Sequence, residues 1–335
     1  MKIESTTHNQ QFHEEASIFS IESSDSHIFT AGGDGKIRSW HISIENIESE
    51  KKMLSSTAIN TSTKISYCNV FEKHRATVNC VRINEEKNLL ATGGDDGYVV
   101  IWEIKDCAPA FSSIVFKGEK CTEVCWAGNN LIVGFNTGNI IMIEISRNKN
   151  AESLELYKGK VLHNIKPHSS MVDGLCYNSE HNLISSISRD KSCKVFLVGE
   201  KLKQVSKLDL FGKEGKICDE NETMIFRRHA FSKCGNFLYV VSCVENKKYC
   251  VFIVHYPFHE NSIYGKIGDF NSPVIKILER EENLYIFTKY EVYVVKDKMV
   301  INNFSILPMT DATLYKNIIF SCSVDGFVNS LRIDE

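Results

Sequence analysis

The stretch Leu90-Ala-Thr-Gly-Gly-Asp-Asp-Gly-Tyr-Val-Val-Ile-Trp-Glu-Ile104 decides the fold. It reads as a short apolar strand, a tight Gly/Asp turn, and a second strand that ends on Trp102. Upstream, Phe29 to Ile42 repeats the strands and the turn in the same register: Thr30, Asp34 and Trp40 stand four and six residues apart, as do Thr92, Asp96 and Trp102. The same spacing picks out Ser186, Asp190 and Phe196, and again Ser321, Asp325 and Leu331. A copy that has lost most of its polar residues lies at Val133, Thr137 and Ile143. Histidines give a second ruler. His74 precedes Thr92 by 18 residues, His168 precedes Ser186 by 18, and His13 precedes Thr30 by 17.

Fixed residue types at fixed offsets have a physical cause in the WD-repeat blade. There the histidine comes from the loop entering the inner strand, the Ser/Thr from the second strand, the Asp from the turn after it, and the Trp from the third strand. Joined in a buried chain of hydrogen bonds, each satisfies a polar group that burial would otherwise strand. Two sets are complete, His74–Thr92–Asp96–Trp102 and His13–Thr30–Asp34–Trp40; a third, His168–Ser186–Asp190, has Phe196 in place of the indole. A hydrolase triad has a similar composition, but a triad is one unit at an open cleft, whereas this set recurs in register. The sets are therefore structural.

Alternation supplies two more blades, one from Phe237–Cys243 with Tyr249–Val254, the other from Asn283–Phe287 with Glu291–Val295. The Trp-equivalent positions then fall at 40, 102, 143, 196, 252, 293 and 331, which is seven repeats at the WD40 period with loop insertions. The expected fold is all-β: a seven-bladed WD40 β-propeller, one domain over 1–335, with polar surface insertions at about 45–66 and 199–222. An open ring would leave an unpaired strand edge. Only three strands of the last blade fit before Ile333, so Met1 to about Thr7 are expected to supply the fourth.

Composition removes several function classes. Forty-two acidic against 39 basic residues give a net charge of −3, no electrostatic basis for gripping a phosphate backbone, and sequence-specific nucleic-acid binding is not expected. No apolar run approaches the ~20 residues that span a bilayer, and Met1 to Glu15 hold no apolar stretch of the signal-peptide kind. Twelve cysteines include no Cys-x-x-Cys; in a reducing compartment they act as small core hydrophobes. Cys250, His255 and His259 hold metal-ligand types, but they follow a strand pattern and Pro257 breaks any helix that would align the histidines. With no Gly-x-x-x-x-Gly-Lys-Ser/Thr loop and no activated nucleophile, neither catalytic residues nor a cofactor is expected.

Phe226-Arg-Arg-His-Ala-Phe231 stands where the inner strand of the fifth blade should begin. Adjacent residues on a strand point to opposite faces, so one of Arg227 and Arg228 is expected to face a partner, and arginine is enriched where partners bind.

Several segments together resemble the WD-repeat middle subunit of chromatin assembly factor one. They are Phe71–Ile83 with Leu89–Gly97 and Val100–Trp102, Met1-Lys-Ile3, Ala31–Asp34 with Ile37–Trp40, Val124-Cys-Trp126, Ile225–Leu238 and Ser323–Phe327. The resemblance covers essentially the whole chain; Gly-Gly-Asp turns are common to WD repeats, while their order combined with Phe-Arg-Arg is more specific. It implies a nuclear, non-enzymatic subunit of a histone chaperone complex that deposits H3–H4 on DNA during replication. The propeller would dock on the large subunit, with histones contacted indirectly or weakly. HIR-type replication-independent chaperones share such a propeller, and a WD-repeat adaptor such as a ubiquitin-ligase receptor would look alike at this level. Members of both chaperone groups carry a C-terminal extension whose short motif recruits a second H3–H4 chaperone; the sequence given stops at Glu335, so that contact is not expected from these residues.

Overall fold

Runs of alternating apolar and polar residues, cut by Gly, Asp and Asn turns, fold as strands throughout; among the described residues the single helical element is a 3-10 turn at Glu85–Lys87. The computed structural model describes residues 2–8, 10, 12–47, 60–148, 156–208, 226–245, 247–259, 262–281 and 283–334. They form seven four-stranded antiparallel sheets. Blade 1 comprises Ile18–Ser24, His27–Gly32, Lys36–Ile47 and Asn60–Glu72, from the inner strand outward. Blade 2 comprises Val78–Asn84, Leu89–Gly94, Tyr98–Lys105 and Ala108–Lys117. Blade 3 is Cys121–Ala127, Asn130–Phe135, Ile140–Arg147 and Tyr157–Ile165, and blade 4 is Val172–Asn178, Leu183–Ser188, Cys193–Val198 and Leu202–Leu208. Blade 5 has Ala230–Phe231, Phe237–Glu245, Lys248–His255 and Ile263–Phe270; blade 6 has Val274–Arg280, Asn283–Thr288, Val292–Val294 and Met299–Ile301. Blade 7 joins Met309–Tyr315, Ile318–Ser323 and Val328–Asp334 to the N-terminal strand Lys2–His8.

Each inner strand packs beside the next, from blade 1 round to blade 7 and back, so the sheets close a ring. The N-terminal strand pairs along its whole length with Val328–Asp334, from Lys2 opposite Asp334 to His8 opposite Val328, and His8 Nε2 lies 2.9 Å from Ser330 Oγ. The blades are held together by apolar residues between them. Phe29 and Phe71 of blade 1 pack against Leu90, Val100 and Trp102 of blade 2, and Phe12, Ile18 and Trp40 meet Ile318 and Phe320 of blade 7. Each such side chain, fully removed from water, contributes roughly 1.5–3 kcal/mol. All seven Trp-equivalent positions lie in third strands, from Trp40 opposite Ile28 to Leu331 opposite Ile319.

The polar insertions are narrower than the sequence suggests. Residues 45–47 and 60–66 continue the third and fourth strands of blade 1, and Leu202–Leu208 is the fourth strand of blade 4. An outer strand meets water along its edge, so it can be polar in composition and still pair; in Leu202–Leu208 only Leu202, Ser206 and Leu208 are buried. Residues 199–201 form the bend into that strand, and 48–59 and 209–222 lie outside the described residues.

Candidate functional site: hydrogen-bond sets and a charged plug on the channel axis

In blade 2 the Trp102 indole N–H donates to Thr92 Oγ1 at 2.9 Å, and His74 Nε2 lies 2.8 Å from the same oxygen. The Asp96 carboxylate can only accept, so the His74 Nδ1–H donates to it at 3.0–3.1 Å, which leaves Nε2 to accept the threonine hydroxyl proton. Asp96 also accepts the backbone N–H of Arg75 at 2.8 Å and of Tyr98 at 3.0 Å. The chain of donors thus runs from the third strand to the turn with every member satisfied. Blade 4 builds the same chain from Ser186, His168 and Asp190, at 2.8 and 3.0 Å, and Ser192 sits where it also reaches Asp190. Phe196, buried there, has no N–H to give.

Blade 1 adds a cation. His13 Nε2 is 2.9 Å from Thr30 Oγ1, which accepts from the Trp40 indole at 2.9 Å, and His13 Nδ1 is 2.8 Å from Asp34. Arg38 is buried over the set and pairs with Asp34 and, at 3.1 Å, with Glu14. Burial alone would push the Asp34 carboxyl up; the His13 and Arg38 partners outweigh it and hold the pKa at about 2.

Arg227 and Arg228 are not placed as a docking surface. They are 7% and 3% exposed. The strand argument fails because the inner strand of blade 5 is only Ala230–Phe231, and the two arginines precede it on irregular backbone. That backbone is wedged between neighbouring blades: Arg227 N–H donates to the Asp173 carbonyl at 3.2 Å and Arg228 N–H to the Ile275 carbonyl at 2.7 Å. Gly174 makes the approach possible, since a Cβ there would stand 2.1 Å from the Arg227 carbonyl oxygen. Arg227 Nε lies 3.7 Å from Asp173 Oδ2, and Asp173 also pairs with Arg189 at 3.0 Å.

From its anchor between blades 4 and 6, Arg228 reaches across the ring axis. Its guanidinium donates to the carbonyls of Phe19 in blade 1 at 3.3 Å, Asn79 in blade 2 at 3.2 Å, and Thr310 in blade 7. Its Nε pairs with Glu123 of blade 3 at 3.0 Å and with Asp311 of blade 7 at 3.3 Å, and its face covers the Phe226 ring at 4.4 Å. Arg82 of blade 2 binds the same two carboxylates at 2.9 and 3.1 Å, and Lys276 of blade 6 binds Asp311 at 3.2 Å. Glu22 of blade 1 completes the cluster 3.9 Å from Arg82. Burial raises the Glu22 pKa. Burial also opposes ionisation of Asp311, but Arg228, Lys276 and Arg82 together hold its carboxyl far below the ordinary range.

The sequence reading missed Glu22, Arg82, Glu123, Lys276 and Asp311, which come singly from inner strands. Three of them share a place just after the bulge that the inner strands of six blades carry: Glu123, Lys276 and Asp311 hold it in blades 3, 6 and 7, with Ser20, Cys80 and Gly174 in blades 1, 2 and 4, while Glu22 and Arg82 lie two residues beyond it. Small residues on one side leave room for the long ones on the other. Chemically the cluster is an ionic network with a dry centre: Arg228, Glu123 and Asp311 are closed to water, while Glu22, Arg82 and Lys276 keep partial access to it. Burial pushes the neighbouring Cys125 thiol up to about 12, far from a reactive thiolate.

Seven blades, closed by the N-terminal strand and pinned by repeated His–Ser/Thr–Asp sets, define a WD-repeat β-propeller. The WD domain, G-beta repeat family matches residues 65–103 and 159–196, each span running from an outer strand into the next blade's third strand. The solved WD40 β-propeller domain of Doa1 superposes over 98% of this chain and 96% of that one, with a TM-score of 0.66 at 15% identity, a likeness of fold. Among named relatives, a chromatin assembly factor 1 subunit of Schizosaccharomyces pombe is 41% identical over 73 residues, 22% of this chain and 12% of that protein. Its Saccharomyces cerevisiae namesake is 21% identical over 315 residues, 79% of this chain and 65% of its own length. Protein hir1 of S. pombe is 25% identical over 262 residues, 71% of this chain and 25% of that protein. The chain therefore spans less than two thirds of these relatives, and it resembles the WD-repeat subunits of chromatin assembly factor 1 and of the HIR type.

Proposed function

We propose that this propeller is a non-enzymatic scaffold subunit of a nuclear histone chaperone complex that deposits H3–H4 during DNA replication, docked through its surface on the complex's large subunit. The observation that carries this reading is the similarity to the S. cerevisiae chromatin assembly factor 1 subunit along 79% of the chain. A replication-independent, HIR-type role is the second reading, favoured by the match to hir1 over 71% of the chain. With Arg227 and Arg228 buried, docking falls to loops and blade edges. Affinity purification of the full-length protein from growing cells, with identification of co-eluting proteins, tests both. Recovery of the large assembly-factor subunit with H3 and H4 is expected. Recovery of HIR-complex subunits in its place would establish the second reading, and a ubiquitin ligase would overturn both.

A further inference from the structure

At the blade ends opposite the Gly-Asp turns, a cavity of about 390 Å³ opens between blades 1 and 2. Its floor is apolar: Phe29 of blade 1 with Ile83 and Ile104 of blade 2. Two carboxylates stand at the rim, Asp25 in the turn between the first two strands of blade 1 and Asp106 in the turn between the last two of blade 2. Both side chains are exposed; among the described residues neither makes a hydrogen bond or salt bridge, and Asp25 lies close enough to His27 to attract its ring charge. Lys105 is the one lysine or arginine in the lining. His27 at the wall is engaged at both ring nitrogens, 3.1 Å from Ser26 Oγ and 3.2 Å from His41 Nδ1.

An apolar floor beneath unpaired carboxylates suits a long side chain with an alkyl stem and a cationic head. Anions are repelled by the rim. Metal ions are not served either, because among the described residues no cluster of His, Cys, Asp or Glu is arranged to hold one. Two carboxylates on separate turns match a planar head that can donate along two edges, which a guanidinium does and an ammonium does not. The volume falls at the small end of the roughly 300–1,000 Å³ of ligand pockets, leaving room for one such side chain and the peptide backbone beside it.

We propose that this cavity binds an arginine side chain of a basic peptide, with the guanidinium between Asp25 and Asp106 and the stem over Phe29, Ile83 and Ile104. Nothing in it depends on the assembly reading above. Lys105 then opposes binding, so removing it strengthens the site.

The test is fluorescence polarisation on the full chain with a labelled dodecapeptide carrying one arginine in a Gly/Ser background, beside the same peptide with neutral citrulline. Asp25 and Asp106 have φ of 46° and 48°, a region asparagine also tolerates, so the Asp25→Asn/Asp106→Asn variant keeps both turns, with its melting curve as the control. The arginine peptide is expected to bind at least about tenfold tighter than citrulline, and the double variant to lose about tenfold, the effect of ~1.4 kcal/mol. Lys105→Ala is expected to tighten binding by about threefold. Equal binding of the two peptides, or an unchanged Kd in a folded double variant, would overturn the assignment.

Discussion

Asp96 shows how much one side chain can hold in this fold, since a single carboxylate serves the His74 ring and two backbone N–H groups. Asp96→Ala strands those donors, and a loss of roughly 1–3 kcal/mol is expected in urea unfolding. The effect depends on pH. Burial works to raise the Asp96 pKa, but His74 and the N–H groups of Arg75 and Tyr98 outweigh it and lower it from 3.8. Its stabilisation is therefore complete above 3.8 and is lost as pH falls through the lower folded value, so wild type and variant should converge in acid. A gap that persists unchanged at low pH would show that the carboxylate charge is not what the turn uses. Asp96 was legible in the sequence because its partners sit at fixed offsets. Asp311 was not: its partners Arg82, Arg228 and Lys276 are spread over most of the chain, and only ring closure brings them together.

Among the elements, the inner strand of blade 5 departs furthest from the repeat. Its two residues leave the preceding segment free to leave the sheet, and Arg228 uses that freedom to reach blades 1 and 2 on the far side of the ring. Alternation was the wrong rule there, because it holds only where a strand continues, and no local pattern announces that this one stops short. Arg228→Met keeps an unbranched stem but stops short of the guanidinium, so it removes both the charge and the contacts to Phe19, Asn79 and Thr310. Glu123 and Asp311 would then share Arg82 and Lys276, and breaking such a buried pair from one side costs about 3–5 kcal/mol. The expected result is a large drop in melting temperature. Wild-type stability in that variant would mean that Arg228 contributes nothing to holding the ring together.

For the whole molecule, the seven-fold repeat was readable because each blade restates the same packing problem, whereas the polar outer strands passed for loops since water faces much of 63–66 and 202–208. Closure rests on the pairing of Lys2–His8 with Val328–Asp334. Deleting Met1 to Thr7 exposes the edge of blade 7, and the melting temperature of the entire ring, not of one blade, should fall; an unchanged single transition would show the strand to be dispensable. The same pairing sets a timetable. His8 and Ser330 are 322 residues apart, so during synthesis at about 5–20 residues per second the first strand waits on the order of 16–64 s for its partner to leave the ribosome. Through that interval the apolar flank of blade 1 that Ile318 and Phe320 will cover has no partner, so the ring can close only after synthesis of the last blade.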